Sequence, residues 1–460
     1  MAKFKNSMDL CKGPLFKQII LYSLPILGML LLQLSFNLAD LIVVGKCSVN
    51  GANSVGAIGS TGSLVHMIQN LFLGLSIGTS ILAANFFGSK KFAQLRRLSY
   101  TAIAVSMICG LFLASVGQLL IVPLLQLMNT NTLVESTLYL RIYFLAMPAF
   151  MVNVFGSALL SAVGDTKRPL YFLIISGIIN VILNYILVAF FNLGVAGVAW
   201  ATFVSIAIAA TLVIRALMER DGVYKFQFKY LGIDLKLLKR MLKLGIPTSI
   251  QSNSFSFSNV LIQTAVNSLG KAAQAGNAIA STLEGIAYTG SSAYCQTTVA
   301  FVAQNEGGGQ RERTIRSIKY CLLIGFVITS IMGAVITIFG REFCLMFDSK
   351  AAVEIAKEEL IKEALGRMRV TLPLYGICAC MEIFVGALRG LGSTLSSMVI
   401  MLISVCLVRV LWVLLAFPLC KTIPALLSCY PITWSLCAII GLCYLIYKLK
   451  TTRNKCKNAA

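Results

Sequence analysis

Three of the seventeen Asp and Glu residues fall well inside long apolar stretches: Asp40, Glu284 and Glu382. Ionisable groups in a bilayer are costly, so by default they mark ion or substrate paths. Asp40 follows Asn37 by one helical turn, and Asn180 and Asn184 share a helix face at a spacing of four. A carboxylate facing amide oxygens is a cage of hard oxygen ligands for Na⁺. The same carboxylate alone and desolvated could take up H⁺, because burial disfavours its charged form. The competing reading of Asp40 is a structural hydrogen-bonding carboxylate near a helix end.

Glu284 shares a helical face with Tyr288, Ser291 and Cys295, as the wall of a substrate cavity would. Glu382 lies seven residues from both Tyr375 and Arg389. Each Glu has two readings. It neutralises a cationic substrate, or it pairs with a buried arginine such as Arg409. Gln251, Ser254 and Ser258 share one face of a polar stretch. They either line a wet cavity or hold helices together. His66 is a proton relay or a neutral hydrogen-bonded imidazole. Arg141, flanked by Tyr139 and Tyr143, is expected to order its surroundings. No phosphate-binding loop, catalytic triad or dinucleotide fingerprint is visible, and a single His argues against zinc. No cofactor is expected beyond a coupling ion, and the fourteen scattered cysteines read as packing residues.

The surroundings of these residues set the fold class. Of 460 residues, 58% are hydrophobic and 12% charged, about half the usual charge of a soluble domain. Spanning helices need about 20 mostly apolar residues, and such runs recur from Gln18 to Tyr447. The runs are continuous rather than alternating, which excludes a β-barrel. The reading is an all-α polytopic membrane protein of twelve spans, at 16–45, 52–88, 98–124, 134–163, 170–192, 197–217, 243–268, 275–304, 315–340, 357–388, 395–417 and 424–447. Between them, 28 of the 39 Lys and Arg fall on one side. The positive-inside rule makes that side, with both termini, cytoplasmic. The net charge of +22 is therefore a topology signal, not a nucleic-acid footprint, with anionic lipid contact second. The first span has no cleavage site and reads as an uncleaved anchor.

The chain repeats itself. Gly88–Tyr100 resembles Gly308–Tyr320, Ser157–Thr166 resembles Val385–Thr394, and Leu24-Pro25 resembles Ile246-Pro247, at offsets of 220, 228 and 222. Six spans per half make these parallel repeats: a first half at 1–217, a linker at 218–242, a second half at 243–448 and a tail at 449–460. Two such halves suit alternating access through a cavity between them. In the linker, Leu231, Leu235, Leu238 and Leu242 recur at helical spacing. They fit an amphipathic helix on the cytoplasmic surface or a plain tether.

Pro25 with Asp40-Leu-Ile-Val-Val-Gly45, Gly164-Asp-Thr-Lys-Arg-Pro169, Asn180-x-x-x-Asn184, Gly194–Thr202 and Leu388–Thr394 occur in one order over most of the chain. Together they resemble the MATE (multidrug and toxic compound extrusion) family, most of all its DinF-like bacterial branch. The resemblance implies an N-lobe and a C-lobe in a V shape. It also implies export of organic, often cationic, compounds in exchange for Na⁺ or H⁺ across a bacterial plasma membrane. The family typically has Asn-x-x-x-Asp on the fifth span, and here Asn184 replaces that acid. The missing charge weakens Na⁺ more than a proton bonded to Asp40, so H⁺ is the expected main coupling ion. The chain is expected to act as a monomer in the lipid bilayer on small molecules, and not as an enzyme. A lipid-linked oligosaccharide flippase usually has fourteen spans and a basic cavity, which disfavours that rival. A membrane transferase would need clustered Asp, Glu or His at a membrane face.

Overall fold

The computed structural model describes residues 7–47, 51–127, 132–346 and 357–457, and every regular element among them is helical. The first seven helices are α1 (Leu15–Cys47), α2 (Gly51–Gly88), α3 (Phe92–Leu127), α4 (Leu133–Leu145), α5 (Met147–Ala162), α6 (Lys167–Tyr185) and α7 (Gly194–Leu217). Next come α8 (Leu235–Asn267), α9 (Lys271–Gly307), α10 (Arg311–Ile338), α11 (Gly340–Met346), α12 (Lys357–Thr371) and α13 (Tyr375–Gly390). The last are α14 (Thr394–Met401), α15 (Val408–Leu411), α16 (Ile423–Leu427) and α17 (Cys429–Lys457).

Among the described residues nine helical segments are long and apolar enough to cross a bilayer, and ten if α4 and α5, bent by 50°, form one span. The bend has a local cause. Pro148 lacks an N–H and breaks the ladder at Ala146. α8 and α9 have spanning length, at 33 and 37 residues, but their Ser, Asn, Gln and Thr make them more polar than the rest. With them the twelve expected segments are all helical. Phe112, Leu119, Phe190, Ile338, Leu415 and Leu419 are exposed, a surface suited to hydrocarbon rather than water.

The sequence repeat is also a repeat of backbone turns. Gly164 and Gly392, 228 residues apart, take φ of 89° and 75°, the left-handed region that favours glycine. The Asp165 N–H donates to the Leu160 carbonyl at 3.1 Å, and the Ser393 N–H donates to that of Leu388 at 2.9 Å. Lys90 and Gly309, at φ of 57° and 69°, end α2 and α9 alike. In the first of these turns Arg168 binds Asp165 and reaches Glu219 at 2.7 Å, pinning the chain after α7. Burial lifts the Asp165 carboxyl above its usual range, and Arg168 pulls it part of the way back.

The linker differs from expectation. Its helical residues are a 3₁₀ turn at Phe228–Tyr230 and the opening turns of α8, with the N–H groups of Lys236 and Leu237 donating to Asp234 Oδ1. Leu237 and Met241 are buried there, while Leu231 and Leu235 are exposed. Nothing breaks the helix between Asp234 and the membrane, so no separate surface helix forms.

The chain divides into two compact units. One combines the chain up to Lys12 with Leu24–Ser249 and Gly307–Gly309, and the other Gly13–Ser23, Ile250–Glu306 and the chain from Gln310. In the second unit Tyr22 packs edge-on to Phe301, and Arg313 binds the Gly13 carbonyl at 2.8 Å and Gln18 at 2.9 Å. The start of α1 is therefore held by residues about 280 to 300 positions away. The core of this unit gathers residues such as Ile262, Leu283, Met381, Leu426 and Trp434.

Candidate functional site

In the first unit, α1 brings half-buried Asp40 against α6, on which Asn180 and Asn184 are buried one turn apart. The Asn184 amide donates to Asp40 Oδ1 at 2.5 Å and lies 3.2 Å from Asn180 Oδ1. Asn180 in turn donates at 3.5 Å to the hydroxyls of Thr202 and Ser205 on α7. Tyr139 of α4 lies within electrostatic reach of Asp40. Asn184 Oδ1 is buried and has no hydrogen-bond partner. A buried acceptor left empty is unfavourable. Past Tyr185, α6 widens into a π-helical segment, Ile186–Phe190, a distortion frequent at functional sites. Asn37 lies apart from the cluster, exposed on α1. Thr202 and Ser205 were not singled out from the sequence; their only signal is that they sit on an apolar helix.

The second unit holds the other two carboxylates. Glu284 on α9 is gripped by the fork of Arg367 on α12, at 2.9 Å from Nε and 2.6 Å from Nη2. Thr371, one turn on, donates to Glu284 at 2.5 Å, and Arg367 also reaches Asn277 at 2.5 Å. The arginine that pairs with Glu284 is thus Arg367 and not Arg409. Helix α12 carries Arg367 inward, where it is buried.

Glu382 on α13 is buried and forms no ion pair with any described residue. It accepts a hydrogen bond from Tyr288 at 3.3 Å. Tyr288 stacks on Phe255 of α8 with ring centres 6.4 Å apart. Gln251 is bound by Met401 and Ser397 of α14, a contact between helices. Ser254 is half-buried, and Ser258 is buried with an unpartnered hydroxyl. His66 and Arg141 are exposed, and Arg141 uses its backbone carbonyl to accept from Gln118 at 2.8 Å.

Comparison with known proteins agrees with this architecture. The MatE family model matches residues 25–186 and 247–415. The two matches start at Pro25 and Pro247, the offset of 222 found in the repeat. The probable multidrug resistance protein YoeA of Bacillus subtilis is 26% identical over 405 residues, covering 86% of this chain and 85% of that protein. The probable multidrug resistance protein NorM of Thermotoga maritima is 25% identical over 412 residues, covering 87% and 86%. An FAD transporter of Shewanella oneidensis is 23% identical over 410 residues, covering 86% and 87%. A solved MOP superfamily transporter from Pyrococcus furiosus, described as having a binding pocket of reversed polarity, superposes with a TM-score of 0.90 at 19% identity, covering 98% of this chain and 99% of that one. An outward-facing MATE family transporter gives 0.87 at 20% identity, covering 98% and 99%. With the family model matched in both halves, this chain belongs to the MatE family of multi-pass membrane transporters and is not an enzyme.

Proposed function

We propose that the chain exports small organic compounds, cations among them, from a bacterial cell in exchange for H⁺. Residues 1–217 and 243–448 are its two transport halves, and Asp40 carries the proton. The observation that supports this reading is the Asp40–Asn184–Asn180 cluster with its empty Asn184 Oδ1. Charged Asp40 accepts the N–H of Asn184. Once protonated, it becomes a donor and needs an acceptor. A half-turn of the Asn184 amide presents Oδ1 and supplies one. An Asp at this position could serve Na⁺ better but could not offer that N–H. The rival is Na⁺ held by Asp40, Asn180 and Asn184. Purified protein in vesicles should export a dye under a pH gradient at equal Na⁺. Export that follows only a Na⁺ gradient at fixed pH would establish the rival.

For the substrate, Glu382 has no ion-pair partner among the described residues and lies beside the stacked Tyr288 and Phe255. This is a setting for a flat organic cation. Glu284, with both oxygens on Arg367, we assign to structure. Glu382→Gln should reduce export of cationic dyes about tenfold or more and spare neutral compounds. Equal losses for both would assign Glu382 to packing.

The charge asymmetry supports cytoplasmic termini. Cys344 is buried and Cys420 exposed, so Cys420 is the usable reporter. An impermeant maleimide should label Cys420 from outside intact cells and leave Cys456 unlabelled until the cells are opened. The reverse pattern would invert the topology.

A further inference from the structure

The second unit buries three arginines, Arg367, Arg389 and Arg409, and two carboxylates, Glu284 and Glu382. Glu284 takes Arg367. Among the described residues no ion pair holds Arg389 or Arg409, and Arg409 is the more deeply buried of the two. It is 1% exposed, and no ion pair joins it to any described carboxylate. Its guanidinium lies 4.1 Å from the ring centre of Tyr430 and 5.0 Å from that of Phe255. Nη1 donates to Asn259 Oδ1 at 2.9 Å, and Nε faces the Thr433 hydroxyl at 3.4 Å. Nη2 is buried and has no partner. An arginine does not escape burial by losing its proton, so the remaining charge calls for a negative partner.

The backbone around Arg409 is also unusual. α15 is a single turn between two π-helical segments, Leu402–Leu407 and Trp412–Ala416. The fifth span of each half thus pairs a buried polar centre with a π-helical segment. In the first half that centre is the Asn180–Asn184 cluster, and in the second it is a fixed cation.

We propose that Arg409, held between Tyr430 and Phe255, forms an anion site in which its Nη2 binds a monovalent anion. Two sources share that chemistry: a free chloride-sized ion, and the carboxylate of a transported compound. The site belongs to the second unit and Asp40 to the first, and the proposal does not depend on H⁺ coupling.

The test uses the full-length protein purified in detergent. Its melting temperature is followed as sodium chloride replaces sodium methanesulfonate, a bulkier anion, at constant ionic strength and constant Na⁺. In a second arm the anionic dye fluorescein is added without chloride, and its export from vesicles is measured. A saturable rise of about 3 °C with chloride, without fluorescein export, identifies a resident inorganic anion. The same rise with fluorescein, together with its export in chloride-free buffer, identifies a substrate carboxylate. Arg409→Gln should remove either response. Arg409→Lys, which keeps the charge but loses the fork, should weaken it. If neither probe shifts the wild-type melting temperature, the proposal fails, whatever the variants do. It fails equally if Arg409→Gln responds as the wild type does.

Discussion

Asp40→Asn is expected to reduce pH-driven export to the rate of protein-free vesicles while the protein stays folded. The substitution keeps the shape of the side chain and an oxygen to accept the Asn184 N–H, now 2.5 Å from Asp40 Oδ1. What it removes is the only carboxylate in the cluster, and with it the group that takes up the proton. Thr202, Ser205, Asn180 and Asn184 cannot replace it. The melting temperature should hold or rise, because a half-buried charge disappears. Substantial pH-driven export by this variant would move the proton carrier elsewhere. The companion change, Asn184→Asp, puts a second negative charge beside Asp40. At about 4 Å and an effective dielectric of about 20 the added attraction for Na⁺ is about 4 kcal/mol before desolvation, up to about a thousandfold in affinity. Export by this variant should become dependent on Na⁺. If it remains indifferent to Na⁺, the amide at this position does not set ion choice.

Arg367→Met should be the most damaging single change to stability, by about 3–5 kcal/mol. It leaves the Glu284 carboxylate, 4% exposed, without its bidentate partner, and strips a donor from Asn277. The double variant Arg367→Met, Glu284→Leu should recover most of that loss. Apolar side chains of similar size often replace a buried ion pair at no net cost. Thr371 keeps a partner in the double variant, since its hydroxyl also reaches the Arg367 carbonyl at 3.1 Å. Melting of the purified proteins in one detergent gives the three values. A double variant no more stable than the single one would show that the space, and not the charge, was at fault.

Much of the first-half cluster was legible from local spacing. Asn180 and Asn184 share a face because a helix turns every 3.6 residues, and Asp40 stands out because acids are rare in apolar runs. The partners of the arginines were not legible. Arg367 is 83 residues from Glu284, and no periodicity relates α9 to α12. Arg409 was a natural guess as a partner because it too is a cation inside a span. Packing places it instead between Phe255 and Tyr430. Asn37, one turn from Asp40, shows the limit of spacing arguments. Helical proximity brought it near, but the face of α1 that meets α6 leaves it exposed.

By itself the sequence determined the helical membrane fold, the repeat and the short list of intramembrane charges. Those follow from composition, period and the cost of charge in hydrocarbon, each of which acts locally along the chain. Only the tertiary structure decided how these charges are shared: Glu284 to Arg367, Glu382 to Tyr288, and Arg409 to aromatic rings with one N–H left over. Pairing in a low-dielectric interior depends on distances of a few ångströms between helices far apart in sequence. Those distances are set by how whole helices pack, which no single stretch of the chain encodes.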